Sequence, residues 1–155
     1  MTSDRDTQKL QFLASAGLGD ARRQPLAGDA STRRYERIFP ASGAASLIFM
    51  DQPPSVETQP CPPDAAVQQR QALGYNAMAR LAAGRIEAFV ACADYLRSRG
   101  LSAPLIHAAN ADLGLALLED LGDQVFAQEV LQGTPEVSLY TPAIEVLVRL
   151  HEQAP

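Results

Sequence analysis

Residues 26–37 read LAGDASTRRYER and give the first indication of the fold. Its first two residues and its last six suit extended strands, whereas the four residues between them have the small or polar side chains of a tight turn. Strand-favouring side chains continue to Phe39. The pattern therefore predicts two antiparallel strands joined by a short turn, and the rest of the chain must supply the remainder of a sheet.

Hydrophobic patterning on both sides of this hairpin predicts further strands and helices. The additional predicted strands cover residues 46–51, 105–109 and 115–119. The predicted helices cover residues 6–16, 64–83, 85–99, 124–132 and a last segment that begins near Thr141 and Pro142. Five prolines lie within residues 53–63, which predicts a loop there. Together, these strands and helices predict an α+β fold with about five antiparallel strands and flanking helices.

Composition excludes several classes of function. The chain has 155 residues, and 13 basic against 18 acidic side chains give a net charge of −5, which argues against nucleic acid as a partner. No apolar stretch is long enough to span a membrane, and the N-terminus is too polar for an export signal. We therefore expect a cytoplasmic protein with no membrane partner.

Few residues are available for catalysis or metal binding. Lys9 is the single lysine, so any mechanism that needs a lysine must use it. His107 and His151 have no partner at metal-ligand spacing, and Cys61 and Cys92 match no zinc pattern. We expect both histidines to be structural and both thiols to be free, and no catalytic or metal-binding residue is predicted.

Three motifs and the order of the elements resemble the aminoglycoside phosphotransferase and choline kinase family. Residues 26–37 resemble its first hairpin, MDQPP at 50–54 its third-strand ending, and LLEDLG at 117–122 the hinge between its two lobes. The likeness is closest to the cell-wall amino-sugar kinases of that family. It implies a protein-kinase-like N-terminal lobe over residues 1–123, followed at 124–155 by helices that open a C-terminal lobe.

The resemblance also implies a nucleotide site. The small side chains of the turn would let backbone amides approach phosphates closely, and the hinge backbone would bind the adenine edge. The residues in these roles are Gly28, Asp29, Ala30, Ser31, Arg33 and Arg37 at the hairpin, Glu87 on the core helix, and Glu119, Asp120 and Leu121 at the hinge. The alternatives are an ordinary hairpin turn, solvated arginines and an exposed helix glutamate.

The sequence departs from the family pattern at two points. Kinase-like folds offer a third-strand lysine to the phosphates, whereas Met50 or a neighbour stands here, so Glu87 would need an arginine of the hairpin as its partner. The family's His-Gly-Asp catalytic loop does not occur in these residues. We therefore expect Mg²⁺ to bind only in a full two-lobed protein and this chain alone to be inactive.

The sequence thus predicts the nucleotide-binding lobe of an ATP-dependent kinase for a small-molecule acceptor, a sugar or an amino sugar. The alternative is a non-catalytic protein-interaction module with the same fold, with which the proline-rich loop is compatible. The last helix also has an apolar side, which predicts self-association through residues 141–152.

Overall fold

The computed structural model describes residues 4–28, 33–53, 64, 66–73 and 86–152. Within these residues there are five helices and five strands. In chain order they are α1 (Asp4–Ser15), β1 (Arg22–Pro25), β2 (Arg34–Phe39), β3 (Leu47–Asp51), α2 (Val67–Leu73), α3 (Ile86–Ser98), β4 (Ile106–Asn110), β5 (Leu115–Glu119), α4 (Phe126–Leu131) and α5 (Glu136–Glu152). The predicted α+β fold with a five-stranded antiparallel sheet is confirmed.

The strands form one sheet in the order β1-β2-β3-β5-β4, with every neighbouring pair antiparallel. At one end of the sheet, Asp51 pairs with Arg34 on one side and with Leu115 on the other. At the opposite end, Leu47 pairs with Ile38 and with Glu119. The turn before β2 and the segment after β5 therefore leave the sheet at opposite ends.

One face of the sheet packs against α1. Phe12 and Leu13 of this helix are buried against Phe49, which lies at the centre of the sheet. The Phe12 and Phe49 ring centroids are 5.9 Å apart. Burying large apolar side chains of this kind contributes about 1.5–3 kcal/mol each, so this contact secures α1 to the sheet.

The other face packs against α3. Because neighbouring residues of a strand point to opposite faces, Met50 lies on the side away from Phe49. Met50 is fully buried with Ile86 of α3, and Phe89 and Val90 of the same helix pack around them. The sheet is thus covered on both faces, and α3 marks the face on which the sequence predicts the nucleotide site.

Two predicted elements are placed differently in the structure. The first strand was expected at residues 26–27, but the ladder lies at Arg22–Pro25, and only the Leu26 N–H continues it, to Tyr35 O at 2.9 Å. The strand contains two consecutive arginines, which do not by themselves favour a strand, so the sequence did not indicate it. They are held by specific contacts: the Arg22 guanidinium lies 3.7 Å from the Phe39 ring centroid.

The last helix begins at Glu136 and not near Thr141, and Pro142 lies inside it. Proline favours the start of a helix, and Pro135 gives that same signal seven residues before Pro142. The predicted start near Pro142 is therefore wrong, because Pro135 is the proline that precedes the helix. Apart from Pro53, the predicted proline-rich loop over 53–63 lies outside the described residues. So does the predicted helix over 64–83, apart from Asp64 and residues 66–73, which include α2. Among the described helices, none has both the length and the apolar character needed to cross a membrane.

Lys9 lies between α1 and the sheet, in a group of charged side chains that we call the Lys9 cluster: Arg5, Lys9, Arg23, Glu36 and Asp51. Lys9 Nζ is 3.1 Å from Glu36 Oε1 and 3.4 Å from Asp51 Oδ2. Arg23 donates two hydrogen bonds of 2.8 Å to Glu36. Burial alone would raise the pKa of Glu36, but the bonds from Arg23 and Lys9 lower it below its ordinary value. The single lysine is thus engaged on the face away from α3.

Candidate functional site

The turn before β2 is described only at its edges. Gly28 is exposed, and its backbone lies outside the positive-φ region. A Cβ atom built on it meets nothing within 4 Å among the described residues. Among the described residues, nothing opposes a side chain at this position. Asp29, Ala30 and Ser31 lie outside the described residues.

Arg33 lies just before β2, on the face covered by α3. Its guanidinium carbon is 5.7 Å from the ring centroid of Phe89, which is within the range of a cation–π contact. Alternation along β2 places Arg33, Tyr35 and Arg37 on this face, and Tyr35 packs into the α3 core as alternation predicts. Arg33 is therefore positioned beside the turn and on the face of the predicted site.

The position of the expected third-strand lysine is apolar. Met50 points to the α3 face and is fully buried, so the side chain that stands there is engaged in packing. Lys9 cannot replace the missing lysine, because it lies on the opposite face. Glu87 is half-buried in the first turn of α3, and its pairing with a hairpin arginine stays a prediction.

The hinge after β5 is tied to the sheet by four side chains that we call the hinge clasp: Arg37, Ser46, Asp120 and Asp123. Arg37 Nε and Nη2 donate to the two oxygens of Asp120 at 2.6 and 3.2 Å. Arg37 Nη1 and Nη2 donate to the two oxygens of Asp123 at 2.9 and 2.7 Å. Ser46 Oγ donates to Asp120 Oδ2 at 2.6 Å. A single guanidinium thus holds the carboxylates of Asp120 and Asp123.

Electrostatics keep the hinge clasp charged at neutral pH. Hydrogen bonds to Asp123 and Asp120 raise the pKa of Arg37 above its ordinary value. Burial would raise the pKa of Asp120, but the hydrogen bonds from Ser46 and Arg37 outweigh it and lower that pKa. The bond from Arg37 also lowers the pKa of Asp123. The ion pairs are therefore complete at the pH of a cell.

The hinge backbone turns sharply just after Leu121. Gly122 has φ +84°, a conformation that costs other residues about 1–2 kcal/mol, and its N–H donates to Asp120 Oδ1 at 3.0 Å. Leu121 is exposed. The Glu119 N–H donates to Leu105 O at 2.8 Å, and the Glu119 carboxylate accepts from the Leu105 N–H at 3.0 Å. Glu119 is thus fixed by Leu105, the residue before β4, and Asp120 by the hinge clasp.

The sequence prediction missed the partners of Arg37. It assigned Arg37 to phosphate contact and treated the acidic residues of the hinge as separate from it. In the folded chain Ser46 lies one step beyond the β3–β5 ladder, opposite Asp120, and this register is not apparent from the sequence alone. Whether Arg37 contacts a nucleotide directly stays a prediction.

Comparison with known proteins agrees with this fold. The model of the phosphotransferase enzyme family (APH) matches residues 22–155. An N-acetylmuramate/N-acetylglucosamine kinase of Caulobacter vibrioides is 56% identical over 151 residues, which are 97% of this chain and 41% of that protein. A protein of the same name from Pseudomonas aeruginosa is 31% identical over 124 residues, 80% of this chain and 28% of that protein. The chain spans less than half the length of either relative. Its sequence motifs, its sheet and these matches place the chain in the phosphotransferase enzyme family.

Proposed function

We propose that this chain is the nucleotide-binding lobe of an ATP-dependent kinase that phosphorylates a sugar or an amino sugar in the cytoplasm. Family membership supports phosphoryl transfer as the reaction. The names of the two curated relatives support an amino sugar as the acceptor.

The spacing of the turn and the hinge carries the proposal. The row Arg34, Asp51 and Leu115 lies at the turn end of the sheet, and the row that contains Glu119 lies at the hinge end. Four residues separate the two rows along each strand, which is about 13 Å at about 3.3 Å per residue. A nucleoside triphosphate laid along the strands has a length of this order, so its two ends can meet the turn and the hinge at once.

Each end of the sheet offers the chemistry that its part of the nucleotide needs. We assign the phosphates to the backbone of residues 28–31 and to Arg33, because a guanidinium and backbone amides are good donors to phosphate oxygens. We assign the adenine edge to the backbone of Glu119, Asp120 and Leu121. Glu87, on the α3 face, would orient a cation of the hairpin.

The described residues do not fit a magnesium site. The carboxylates of Asp120 and Asp123 are taken up by Arg37, and among the described residues no three His, Cys, Asp or Glu side chains lie together as a metal would require. We assign no step on this chain to Mg²⁺. Its ligands, like the catalytic base, would belong to the other lobe of a two-lobed protein.

Thermal unfolding with and without ATP tests the proposal. A ligand that binds only the folded chain stabilises it by about 2.7 kcal/mol at 100 times its Kd, so ATP should raise the midpoint. Arg33→Ala should reduce this rise, and Gly28→Val should reduce it if the phosphates approach the turn closely. Arg34→Ala is the matched control, because Arg34 is exposed and alternation places it on the other face.

Two results would count against the proposal. An ATP-independent midpoint would remove the nucleotide-binding role. Metal-dependent phosphorylation of an amino sugar by the 155-residue chain would show that this chain already contains the base and metal ligands that we assign to another lobe.

One feature favours self-association of this chain. Ile144, Leu147 and Val148 of α5 are all exposed, and Leu147 is 54% exposed. An apolar stripe of this kind favours association, so we expect a second copy of the chain to cover residues 141–152. Light scattering over a concentration series should detect the dimer, and Leu147→Glu should weaken it more than Glu145→Gln on the same helix. A chain that stays monomeric throughout would contradict this expectation.

A further inference from the structure

We propose that Arg37 positions the hinge for the adenine and does not contact the phosphates. This inference rests on the proposed function and refines it. In this role Arg37 is a positioning residue, which acts on the nucleotide through the backbone of residues 119–122.

Most donors of Arg37 are already committed. A guanidinium has five N–H donors, and Arg37 uses its three nitrogens to make four hydrogen bonds with Asp120 and Asp123. Its side chain is only 13% exposed, and that of Asp120 is 7% exposed. One N–H of Nη1 lies outside these four bonds, so a phosphate could make a bidentate contact only by displacing a carboxylate, and bidentate pairs are among the stronger charge-assisted contacts in proteins.

The register places Arg37 near the hinge and far from the turn. Arg37 pairs with Ile48, and Ile48 pairs with Leu118, so these three residues form one row across the sheet. Asp120 follows Leu118 by two residues. Arg33 is four residues from Arg37, about 13 Å along the strand. Arg33 is therefore at the phosphate end and Arg37 at the adenine end.

The hinge clasp determines the backbone conformation that the adenine would meet. Asp120 accepts hydrogen bonds from Arg37, from Ser46 Oγ and from the Gly122 N–H, so one carboxylate links β2, the start of β3 and the hinge. Without Arg37, this carboxylate keeps two neutral donors and Asp123 loses its partner. The hinge would then sample more conformations, and a nucleotide would have to order it on binding.

Binding of ATP and of adenosine distinguishes positioning from phosphate contact, because adenosine has no phosphates. We expect Arg37→Ala to weaken both ligands by a similar factor, about tenfold, in NMR titrations of the 155-residue chain. Arg37→Lys should rescue little, because an ammonium cannot make two bidentate pairs. Arg33→Ala is the matched comparison and should weaken ATP while adenosine binding stays unchanged.

Hydrogen exchange of the ligand-free chain tests the hinge clasp without any nucleotide. Arg37→Ala should speed the exchange of the Gly122 amide, while the amides of β3 and β5 stay protected and show that the variant is folded. Asp120→Asn should have the same effect. The double variant with Arg37→Ala should exchange little faster than either single variant, because both substitutions disrupt the same Arg37–Asp120 interaction.

Three results would overturn the inference. Weaker binding of ATP with unchanged binding of adenosine in Arg37→Ala would show that Arg37 contacts phosphates. Unchanged binding of both ligands, despite faster exchange at Gly122, would show that the order of the hinge does not matter. A wild-type chain that binds neither ligand would refute the proposed function and with it the role of Arg37 in binding. Faster exchange of the Gly122 amide in Arg37→Ala would then show only that the hinge clasp orders this segment.

Discussion

The Lys9 cluster and the hinge clasp are both ion-pair groups built on β2, but they differ in what they connect. The Lys9 cluster joins α1 to the sheet with three cations and two carboxylates, and the side chains of Lys9 and Asp51 are 12% and 6% exposed. The hinge clasp joins a loop to the sheet with one cation and two carboxylates, and the Asp123 side chain is 72% exposed.

This difference in exposure matters because buried and exposed ion pairs contribute differently to a fold. A pair hidden between a helix and a sheet has no water to replace a lost partner, so its removal costs folding stability. A pair with one member in water is worth little to stability, but it can still select one conformation of a loop. The Lys9 cluster therefore supports the fold. In the hinge clasp, the Arg37–Asp120 pair is as buried, at 13% and 7% exposed, and it is the Arg37–Asp123 pair that directs a segment at little cost to stability.

The strongest test of this contrast is Asp51→Ala. It removes a partner from Lys9 and from Arg5 and leaves a cation in a nearly closed site, so we expect a loss of about 3 kcal/mol in the free energy of unfolding. Urea unfolding measures this loss. Asp123→Ala is the control and should change stability far less, because Asp123 is in contact with water. Equal losses in the two variants would remove the distinction.

Acid should weaken both groups. The folded-state pKa values of Glu36, Asp120 and Asp123 lie below the ordinary values of 4.5 for Glu and 3.8 for Asp. A lowered pKa means that the ionised form is favoured in the folded state, so this stability is complete above about pH 5 and is lost as the pH falls through the folded values. Urea unfolding between pH 7 and pH 3 should show it.

The same pH series in Arg37→Ala assigns the loss to its source. In this variant, the part of the loss in unfolding free energy at low pH that comes from Asp120 and Asp123 should disappear. The part that comes from Glu36 should remain, because the hydrogen bonds of Glu36 come from Arg23 and Lys9. An acid dependence that is unchanged by Arg37→Ala would contradict the assignment of the low pKa values to that guanidinium.

Two glycines give a smaller and more local test. Gly122→Ala should cost about 1–2 kcal/mol, because φ at this hinge residue is +84°. Gly28→Ala should cost far less, since Gly28 lies outside the positive-φ region and a Cβ there is in open space among the described residues. Thermal unfolding compares them, and equal effects would argue that backbone strain does not govern the hinge.

Lys9→Met should have a small effect on stability, about 1 kcal/mol. Arg5 still pairs with Asp51 and Arg23 with Glu36, and a methionine can fill the space of the lysine stem. Urea unfolding measures the difference. If the phosphate site depended on the single lysine, ATP binding would fall as well, so unchanged ATP binding in this variant would support a purely structural role.

The sheet and its covering helices could be predicted from the sequence because they depend on local periodicity. Alternation along 33–39 groups Arg33 with Tyr35, and the structure has both on the α3 face; Ile86, Phe89 and Val90 recur at helical spacing and lie on the packed side of α3. The strand at 22–25 was missed because its side chains favour no strand by themselves.

The two ion-pair groups could not be predicted in the same way. Arg37 lies 83 residues from Asp120, and Arg5 lies 46 residues from Asp51, and a single sequence does not show which distant charges meet. Their pairing follows from register and helix placement, which only the folded chain provides. The contacts of residues 28–31, Arg33, Glu87 and the hinge with a nucleotide stay predictions.

The packing of α1 has a practical consequence for anyone who expresses this domain. The family match begins at residue 22, so a boundary drawn from it would remove α1 altogether. Such a truncated chain would expose Phe49 and the buried Asp51 to solvent and lose Phe12 and Leu13 from the core. The unit that folds is thus larger than the unit by which the family is recognised, and cloning should start upstream of Asp4.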